Sequence, residues 1–231
     1  MNYYLGGYYL ISLIPYTLDN NELIYTCSSC INDNLLLYPL CGDHIGKEEY
    51  IDEMKIKYNL NNFNIKLIIE WINNKSKKNQ ILWPDAFSDI KYAKEYKDKY
   101  FKNVKSIKLL AIYFSENETI KVLNEFKPKY DNEWEIGIYK ILNKKILENS
   151  KEIFLGYDLI GIDCGGGFHS FHCNSITKEL SDKFGIELNN YGLFNNFLNW
   201  DAVLNYLNSH EAACEPVPWF AIKVKMVSEY L

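Results

Sequence analysis

The chain has 231 residues, 48% of them apolar, and a net charge of −5 with 25 basic residues, all of which are lysines. This acidic balance argues against a general binder of nucleic acids or anionic membranes, because both rely on basic patches, and without arginine there is no bidentate recognition of phosphate. No apolar run approaches the roughly 18 residues of a membrane-spanning helix and no signal peptide is visible, so we expect a cytoplasmic protein with reduced cysteines.

The first half of the chain divides into predicted strands followed by predicted helices. Aromatic and β-branched residues predict a strand pair or one bent strand at 3–14, and a further strand at 22–28. The polar loop at 74–80 is the best candidate for a domain boundary. Apolar residues at helical spacing and capping residues predict helices at 47–58, at 64–73 and from an Asp85 cap to about Tyr100.

The second half has further strands with pairs of helices between them, and Gly185 is expected to end one of these helices in a left-handed conformation. Strands at both ends and in the middle of the chain, with helices clustered mainly in the middle, predict a single α+β domain over 1–231 with a mixed or antiparallel sheet. The predicted strands are 106–114, 152–163 and 219–227, and the predicted helices are 116–126, 136–148, Asn174 or Ser175 to about Phe184, and Asn199 or Asp201 to about His210.

Two residues near the carboxyl end carry specific structural predictions. Gly192 follows the turn-forming residues 189–191 and is expected to adopt a positive φ. Trp219 opens the last predicted strand, which looks half-buried because one face is wholly apolar while the other becomes polar along its length. Since Trp219 lies on the second face, its predicted burial in the main core against the strand at 152–162 requires another element to cover the start of its strand.

Two pairs of candidate metal ligands occur early in the chain. Cys27 and Cys30, followed by Cys41 and His44, have the two-residue spacing of zinc ligands, and their four side chains could close a tetrahedral site. The spacer between the pairs is apolar and typical of a protein core, and cysteine is among the residues most often buried. Ordinary buried or surface thiols are therefore the alternative interpretation.

A glycine-rich segment at 163–173 concentrates histidine and cysteine. Cys164 could act as a nucleophile with His169 as its base and the loop amides as an oxyanion hole. The three glycines could instead let the backbone approach a phosphate, or the segment could be a hairpin loop packed by its phenylalanines. A fourth interpretation is a metal site made by Asp163, His169, His172 and Cys173.

No catalytic cysteine is expected in this segment. The carboxylate of Asp163 disfavours a thiolate at Cys164, because like charges repel. Cys173 precedes a predicted helix start, where the helix dipole favours an anion, but the alternation of a strand would send Cys173 and His172 to opposite faces.

A third group of polar residues lies just before the last predicted strand. His210, Glu211 and Glu215 could join the segment 163–173 in one site. The neighbouring prolines, Pro216 and Pro218, are explained more simply as residues that make the chain rigid before the strand begins.

The C-terminal third resembles a known class of proteins in the arrangement of its motifs. It has Leu155-Gly-Tyr-Asp158 in a strand, the run Gly-Gly-Gly-Phe168-His-Ser-Phe-His-Cys173, then Tyr191-Gly-Leu193 and Glu215-Pro-Val-Pro-Trp219. This arrangement is similar to that of immunity proteins from bacterial polymorphic-toxin and contact-dependent inhibition systems.

The resemblance implies an acidic, cytoplasmic, non-enzymatic protein that binds and masks a cognate toxin. Because this chain is acidic, it could bind a basic toxin. It implies no catalytic residues, no cofactor, and no nucleic-acid or membrane partner. The alternative, drawn from the residues themselves, is a metal-binding protein or a small hydrolase that uses the segment from Asp163 to Cys173.

Overall fold

The structure is a computed structural model of the chain. It describes residues 2–12, 23–28, 30–31, 48–82, 86–130, 135–174, 176–196, 200–209 and 212–228.

Seven strands in these residues join into one sheet, in which every neighbouring pair is antiparallel. In chain order they are β1 (Tyr3–Ser12), β2 (Ile81–Leu82), β3 (Ala86–Phe87), β4 (Ile107–Ser115), β5 (Ile153–Ile162), β6 (Phe168–Ser170) and β7 (Trp219–Met226). Their order across the sheet is β2-β3-β1-β4-β7-β5-β6. The last strand of the chain therefore lies in the interior of the sheet, and the short strand β6 forms one edge.

The helices occupy the connections between these strands, and the α+β class with an antiparallel sheet is confirmed. Among the described residues, three helices lie between β1 and β4 in the chain, two between β4 and β5, and two between β6 and β7. They are α1 (Glu48–Tyr58), α2 (Asn62–Lys77), α3 (Ile90–Tyr100), α4 (Glu116–Glu125), α5 (Gly137–Leu142), α6 (Thr177–Phe184) and α7 (Trp200–Asn208).

Side chains alternate along β7 and divide the core between the two faces of the sheet. Trp219 is buried, as predicted, with 2% of its surface exposed, and it pairs with Gly161 of β5. It belongs to a second cluster with residues of α6 and α7, however, and not to the main core. Asn208 of α7 covers the start of β7, because its side chain bonds both to the N–H of Trp219 (2.9 Å) and to its carbonyl (3.2 Å). The opposite face of β7 lies in the main core through Phe220, Ile222, Val224 and Met226.

The prediction that β7 is half-buried is wrong, because its two lysines are also withdrawn from solvent. The side chains of Lys223 and Lys225 are 13% and 5% exposed, and their ammonium groups lie 2.8 and 2.9 Å from the carboxylate of Glu148. Burial tends to raise the pKa of Glu148, but the two ammonium groups outweigh it and hold that pKa below its ordinary value. The shared carboxylate thus offsets part of the positive charge that the two lysines bring into an interior strand.

Several predicted boundaries differ from those in the structure. Asp89 caps α3 by accepting from the N–H of Lys91 (3.0 Å), because β3 occupies the residues before it, while Asp85 lies outside the described residues. Helix α2 runs to Lys77, well into the loop predicted at 74–80. Helix α5 ends at Leu142, short of the predicted end at 148. Residues 24–28 form no regular strand.

Two glycines adopt the left-handed conformation predicted for them. Gly185 ends α6 with φ 64°, and Gly192 has φ 68°. Helix α6 begins at Thr177, and the residues before it, Phe171–Asn174, form a 3-10 turn. None of the described helices combines the length and the apolar character that a membrane crossing needs.

Candidate metal centre

Three segments that are far apart in the sequence meet beside the edge strand β6. The Cys30 sulfur lies 3.8 Å from Nδ1 of His169, and the same nitrogen lies 3.6 Å from Oε1 of Glu215. One donor atom from each of these residues lies within 4.8 Å of the other two. We call Cys30, His169 and Glu215 the donor cluster.

Cys30 is placed by hydrogen bonds that fasten its segment to the edge of the sheet. The Ser28 hydroxyl donates to the carbonyl of Phe168 in β6 (3.1 Å) and accepts from the N–H of Cys30 (3.2 Å). Further back in the segment, Cys27 is fully buried in the main core, and the N–H of Tyr25 bonds to the carbonyl of Tyr191 (3.1 Å). The thiol of Cys30 is exposed, and it points at a histidine that the sheet itself positions.

His169 is the middle residue of β6, where its pairing with Gly161 of β5 fixes the backbone. Its second ring nitrogen, Nε2, lies 3.3 Å from Oδ2 of Asp163. The other oxygen of Asp163 accepts from the amides of Gly165 (2.7 Å) and Gly167 (3.0 Å), so the carboxylate is held by the loop backbone. The imidazole therefore has one nitrogen on a fixed carboxylate and the other in the donor cluster.

Glu215 reaches the cluster from the segment before β7. Its carbonyl accepts from the indole N–H of Trp219 (3.2 Å), and its carboxylate accepts from the side-chain amide of Asn174. The Cys173 sulfur lies 3.7 Å from Oε1 of Glu215 and donates to the carbonyl of Ser170 at 2.9 Å. A second thiol therefore adjoins the donor cluster.

The charges in the cluster favour the ionised, metal-binding form of the Cys30 thiol. Hydrogen bonds from Cys173 and then from His169 lower the pKa of Cys30 to about 4, although burial opposes the shift. The thiolate of Cys30 in turn raises the pKa of His169 to about 9. The pKa of Cys173 is raised, first by its bond to Cys30 and then by burial. The ionised sulfur of Cys30 is the form of cysteine that binds metals.

Two of the three distances between the donors are close to those around a tetrahedral ion. Sulfur, nitrogen and oxygen ligands at about 2.0–2.3 Å from one zinc ion lie roughly 3.3–3.8 Å apart. The observed separations from His169 Nδ1 are 3.8 Å to sulfur and 3.6 Å to oxygen. A ligand histidine usually gives its other N–H to a carboxylate, which is the position of Asp163.

The predicted ligand sets are each only partly brought together. From the first set, Cys30 is in the donor cluster, whereas Cys27 is buried in the core and this burial raises the pKa of its own thiol. The other two residues of the first set, Cys41 and His44, lie outside the described residues. From the second set, Asp163 stands behind His169 and does not reach the cluster side of the ring. His172 is turned away, because its ring bonds to the carbonyl of Gly192 (3.0 Å) and the hydroxyl of Thr177 (3.3 Å).

His172 also has the electrostatics of a buried structural residue, since burial lowers its pKa to about 4. It and Cys173 lie in the 3-10 turn, so the strand alternation assumed for them does not apply. The loop amides of Gly165 and Gly167 bond to Asp163 and so cannot form the oxyanion hole or the phosphate cradle considered for them. From the third set, Glu215 is in the cluster, while His210 and Glu211 lie outside the described residues.

The pairing of Cys30 with His169 was not predicted from the sequence, because the two residues are 139 positions apart. Each of the three candidate segments contributes one residue to the donor cluster, and no segment forms the cluster alone. The sequence feature that could have indicated this cluster is the presence of three separate sets of candidate ligands, none of which is complete by itself.

Comparison of the chain with models of known protein families, with curated proteins and with solved structures finds no match.

Proposed function

We propose that the chain is a metal-binding protein that holds a divalent transition metal ion, in the first place zinc, through Cys30, His169 and Glu215. The observation that carries the proposal is the spacing of 3.8 and 3.6 Å between the donors around His169. The mixture of thiolate, imidazole and carboxylate suits zinc, which takes all three. Cys173 adjoins the cluster and supplies a fourth donor, so the proposal departs from the expectation that no cofactor is used.

An ion in this place would connect three separate parts of the fold. Cys30 brings in the segment that covers the end of β6, His169 brings in the edge strand, and Glu215 brings in the chain before β7. A site closed by protein ligands contributes directly to folding stability. A cytoplasmic location, as predicted from the sequence, belongs to this proposal because thiols stay reduced there.

Elemental analysis tests the proposal on protein purified without a metal-affinity step. We expect about one zinc ion per chain, as for a single structural site, and a thiolate-to-metal charge-transfer band when cobalt replaces zinc. Cys30→Ser and His169→Gln should lose the band. Cys164→Ser, which changes an exposed thiol in the loop before β6, should keep it. Zinc far below one equivalent, or equal binding by all variants, contradicts the proposal.

A second candidate function is thiol catalysis, because Cys30, His169 and Asp163 stand in the order of nucleophile, base and orienting carboxylate. A hydrolase of this type differs from the alternative predicted for Cys164, whose base would be the same histidine. Alkylation of metal-free protein distinguishes the two functions. If Cys30 reacts rapidly and remains equally reactive with zinc present, catalysis is favoured, since a metal ligand is protected from alkylation.

We also propose, from the resemblance of the C-terminal third, that the chain binds a cognate toxin as an immunity protein. Exposed apolar side chains support a protein interface, and Ile56 and Phe63 are 85% and 67% exposed. Co-expression with the toxin of a neighbouring gene should rescue growth and give a complex.

A matched pair of variants locates this interface. Replacing Ile56 and Phe63 by serine should weaken the complex, while Ile120→Ser, at a site 54% exposed on α4, should not. Absence of both rescue and complex with adjacent toxins contradicts the toxin-binding proposal.

A further inference from the structure

The donor cluster has a second thiol, Cys173, beside the carboxylate of Glu215. The Cys173 sulfur lies 3.7 Å from Oε1 of Glu215, and the Cys30 sulfur lies within 4.8 Å of a carboxylate oxygen of the same residue. The two thiols also influence each other, because each is the first cause of the shift in the pKa of the other. Cys30 comes from one segment and Cys173 from the 3-10 turn after β6, so a bond between them would join distant parts of the chain.

We propose that Cys30 and Cys173 form a redox-active pair, which a peroxide oxidises to a disulfide with release of the bound metal. The metal release rests on the proposed metal-binding function, whereas the disulfide itself rests only on the position of the two thiols. Conversion to a disulfide removes two sulfur donors at once and leaves only the nitrogen and oxygen donors of His169 and Glu215.

The exposure of the two sulfurs fixes the order of the steps. Cys30 is exposed and Cys173 is half-buried, so Cys30 meets the oxidant first. Its thiolate attacks one oxygen of hydrogen peroxide and breaks the O–O bond, which gives a sulfenic acid at Cys30 and a hydroxide ion that is protonated to water.

Cys173 then resolves the sulfenic acid. Oε1 of Glu215, 3.7 Å from the Cys173 sulfur, accepts its proton, and the resulting thiolate attacks the Cys30 sulfur. The S–O bond breaks and a second water leaves after protonation. In total, two thiols and one peroxide give one disulfide and two waters, so the sulfurs lose two electrons and the peroxide oxygens gain them.

The other described cysteines are less suited to this reaction. Cys27 is fully buried in the main core, which keeps solvent oxidants away. Cys214 is half-buried, and burial raises its pKa. Cys164 is exposed in the loop before β6 and is the appropriate control, because it shares the accessibility of Cys30 but not its position in the donor cluster.

The test uses the full chain, fully reduced, in a zinc-loaded and a chelator-treated sample, each exposed to one equivalent of hydrogen peroxide. We expect an intact-mass loss of about 2 Da for the two hydrogens removed, a cross-linked peptide that contains Cys30 and Cys173, and reversal by dithiothreitol. In the zinc-loaded sample, a chelating dye should record about one zinc released per disulfide formed.

The variants separate this proposal from the metal-binding one. Cys164→Ser should behave as the parent chain, and Cys173→Ser should give oxidised Cys30 without the cross-link. If the chain holds no zinc but still forms the Cys30–Cys173 cross-link, the metal-binding function fails and the redox pair stands. A cross-link that involves Cys164 instead, no cross-link in the chelator-treated sample, or full retention of zinc after the disulfide forms overturns the inference.

Discussion

Asp163 supports His169 from the side opposite the donor cluster, with Oδ2 3.3 Å from Nε2 of the imidazole. A carboxylate in this place fixes the tautomer of the ring, sets its orientation and raises the basicity of the nitrogen that faces the metal. Because two backbone amides hold the other oxygen of Asp163, the imidazole is oriented before any ligand arrives.

Asp163→Asn should therefore weaken metal binding without removing a metal ligand. The substituted amide retains an oxygen for the loop amides but loses its charge, and we expect about a 10–100-fold lower zinc affinity. Competition with a chelating indicator measures the change. Asp182→Asn, at an acid of α6 paired with Lys178, is the control, and an unchanged affinity in Asp163→Asn would show that the carboxylate has no role in the site.

Removal of the metal should destabilise the folded chain. Free zinc at 100 times its dissociation constant stabilises a protein by about 2.7 kcal/mol, and a chelator removes that contribution. Urea unfolding with and without chelator should show a difference of this size for the parent chain and a smaller one for Glu215→Gln, which weakens a ligand. Equal stability of the parent chain in both conditions would contradict a structural metal.

Asp158 of β5 should make stability depend on pH. It is fully buried, and its Oδ2 has no hydrogen-bond partner among the described residues, although its other oxygen accepts from the N–H of Leu159 (2.8 Å). Burial raises its pKa from 3.8 to about 7. The folded state therefore favours the protonated acid, and this contribution to stability is complete below about pH 4 and lost as the pH rises through about 7.

The neutral variant Asp158→Asn should lack this dependence. Relative to the parent chain, its free energy of unfolding should increase between pH 4 and pH 8 by on the order of 3–4 kcal/mol. Urea titrations at several pH values measure the difference between the two proteins. A difference that stays constant over this range would mean that Asp158 keeps an ordinary pKa in the folded state.

The periodicity of the sequence predicted most elements but could not place them relative to one another. Strands β1, β4, β5 and β7 follow from runs of apolar residues, and Gly185 from its position after a helical pattern. The interior position of β7 did not follow, because the lysines of that strand look solvent-exposed until Glu148 is brought to them from another connection. Local patterns contain no information on such pairings.

The donor cluster was unpredictable for the same reason. Its three residues come from three segments, and their meeting depends on β6 forming an edge that the segment with Ser28 and Cys30 covers. Each candidate set predicted from the sequence was drawn from one stretch of the chain, whereas the donor cluster takes one residue from each of three stretches. Asp163 was assigned as a ligand because sequence proximity to His169 does not reveal which side of the imidazole it occupies.

Gly185 and Gly192 both have a positive φ, and comparing their alanine variants separates backbone strain from a steric clash of the added Cβ. At Gly185 an added Cβ meets nothing within 4 Å, whereas at Gly192 it meets Cγ1 of Ile24 at 3.1 Å. Both alanine variants should cost on the order of 1 kcal/mol for the positive φ, and Gly192→Ala should cost more because of this contact. Unfolding in urea measures both, and a larger cost at Gly185 would contradict the role assigned to Ile24.

Trp219 should link the stability of the second cluster to the metal site. The indole is 2% exposed, so Trp219→Ala should cost about 3–5 kcal/mol. Trp219→Phe retains most of the buried ring but loses the N–H that bonds to the carbonyl of Glu215 at 3.2 Å. Its cost should be nearer to 1 kcal/mol, the usual value of one hydrogen bond.

The phenylalanine variant is the informative one, because it should also lower the zinc affinity by releasing the backbone that carries the Glu215 carboxylate. Phe220→Leu, a change on the opposite, main-core face of β7, is the control, since it should reduce stability and leave metal binding intact. Urea unfolding and indicator competition on the same preparations separate the two effects. If both variants lose stability but bind zinc equally well, Trp219 supports the core alone and Glu215 is positioned by its contact with Asn174.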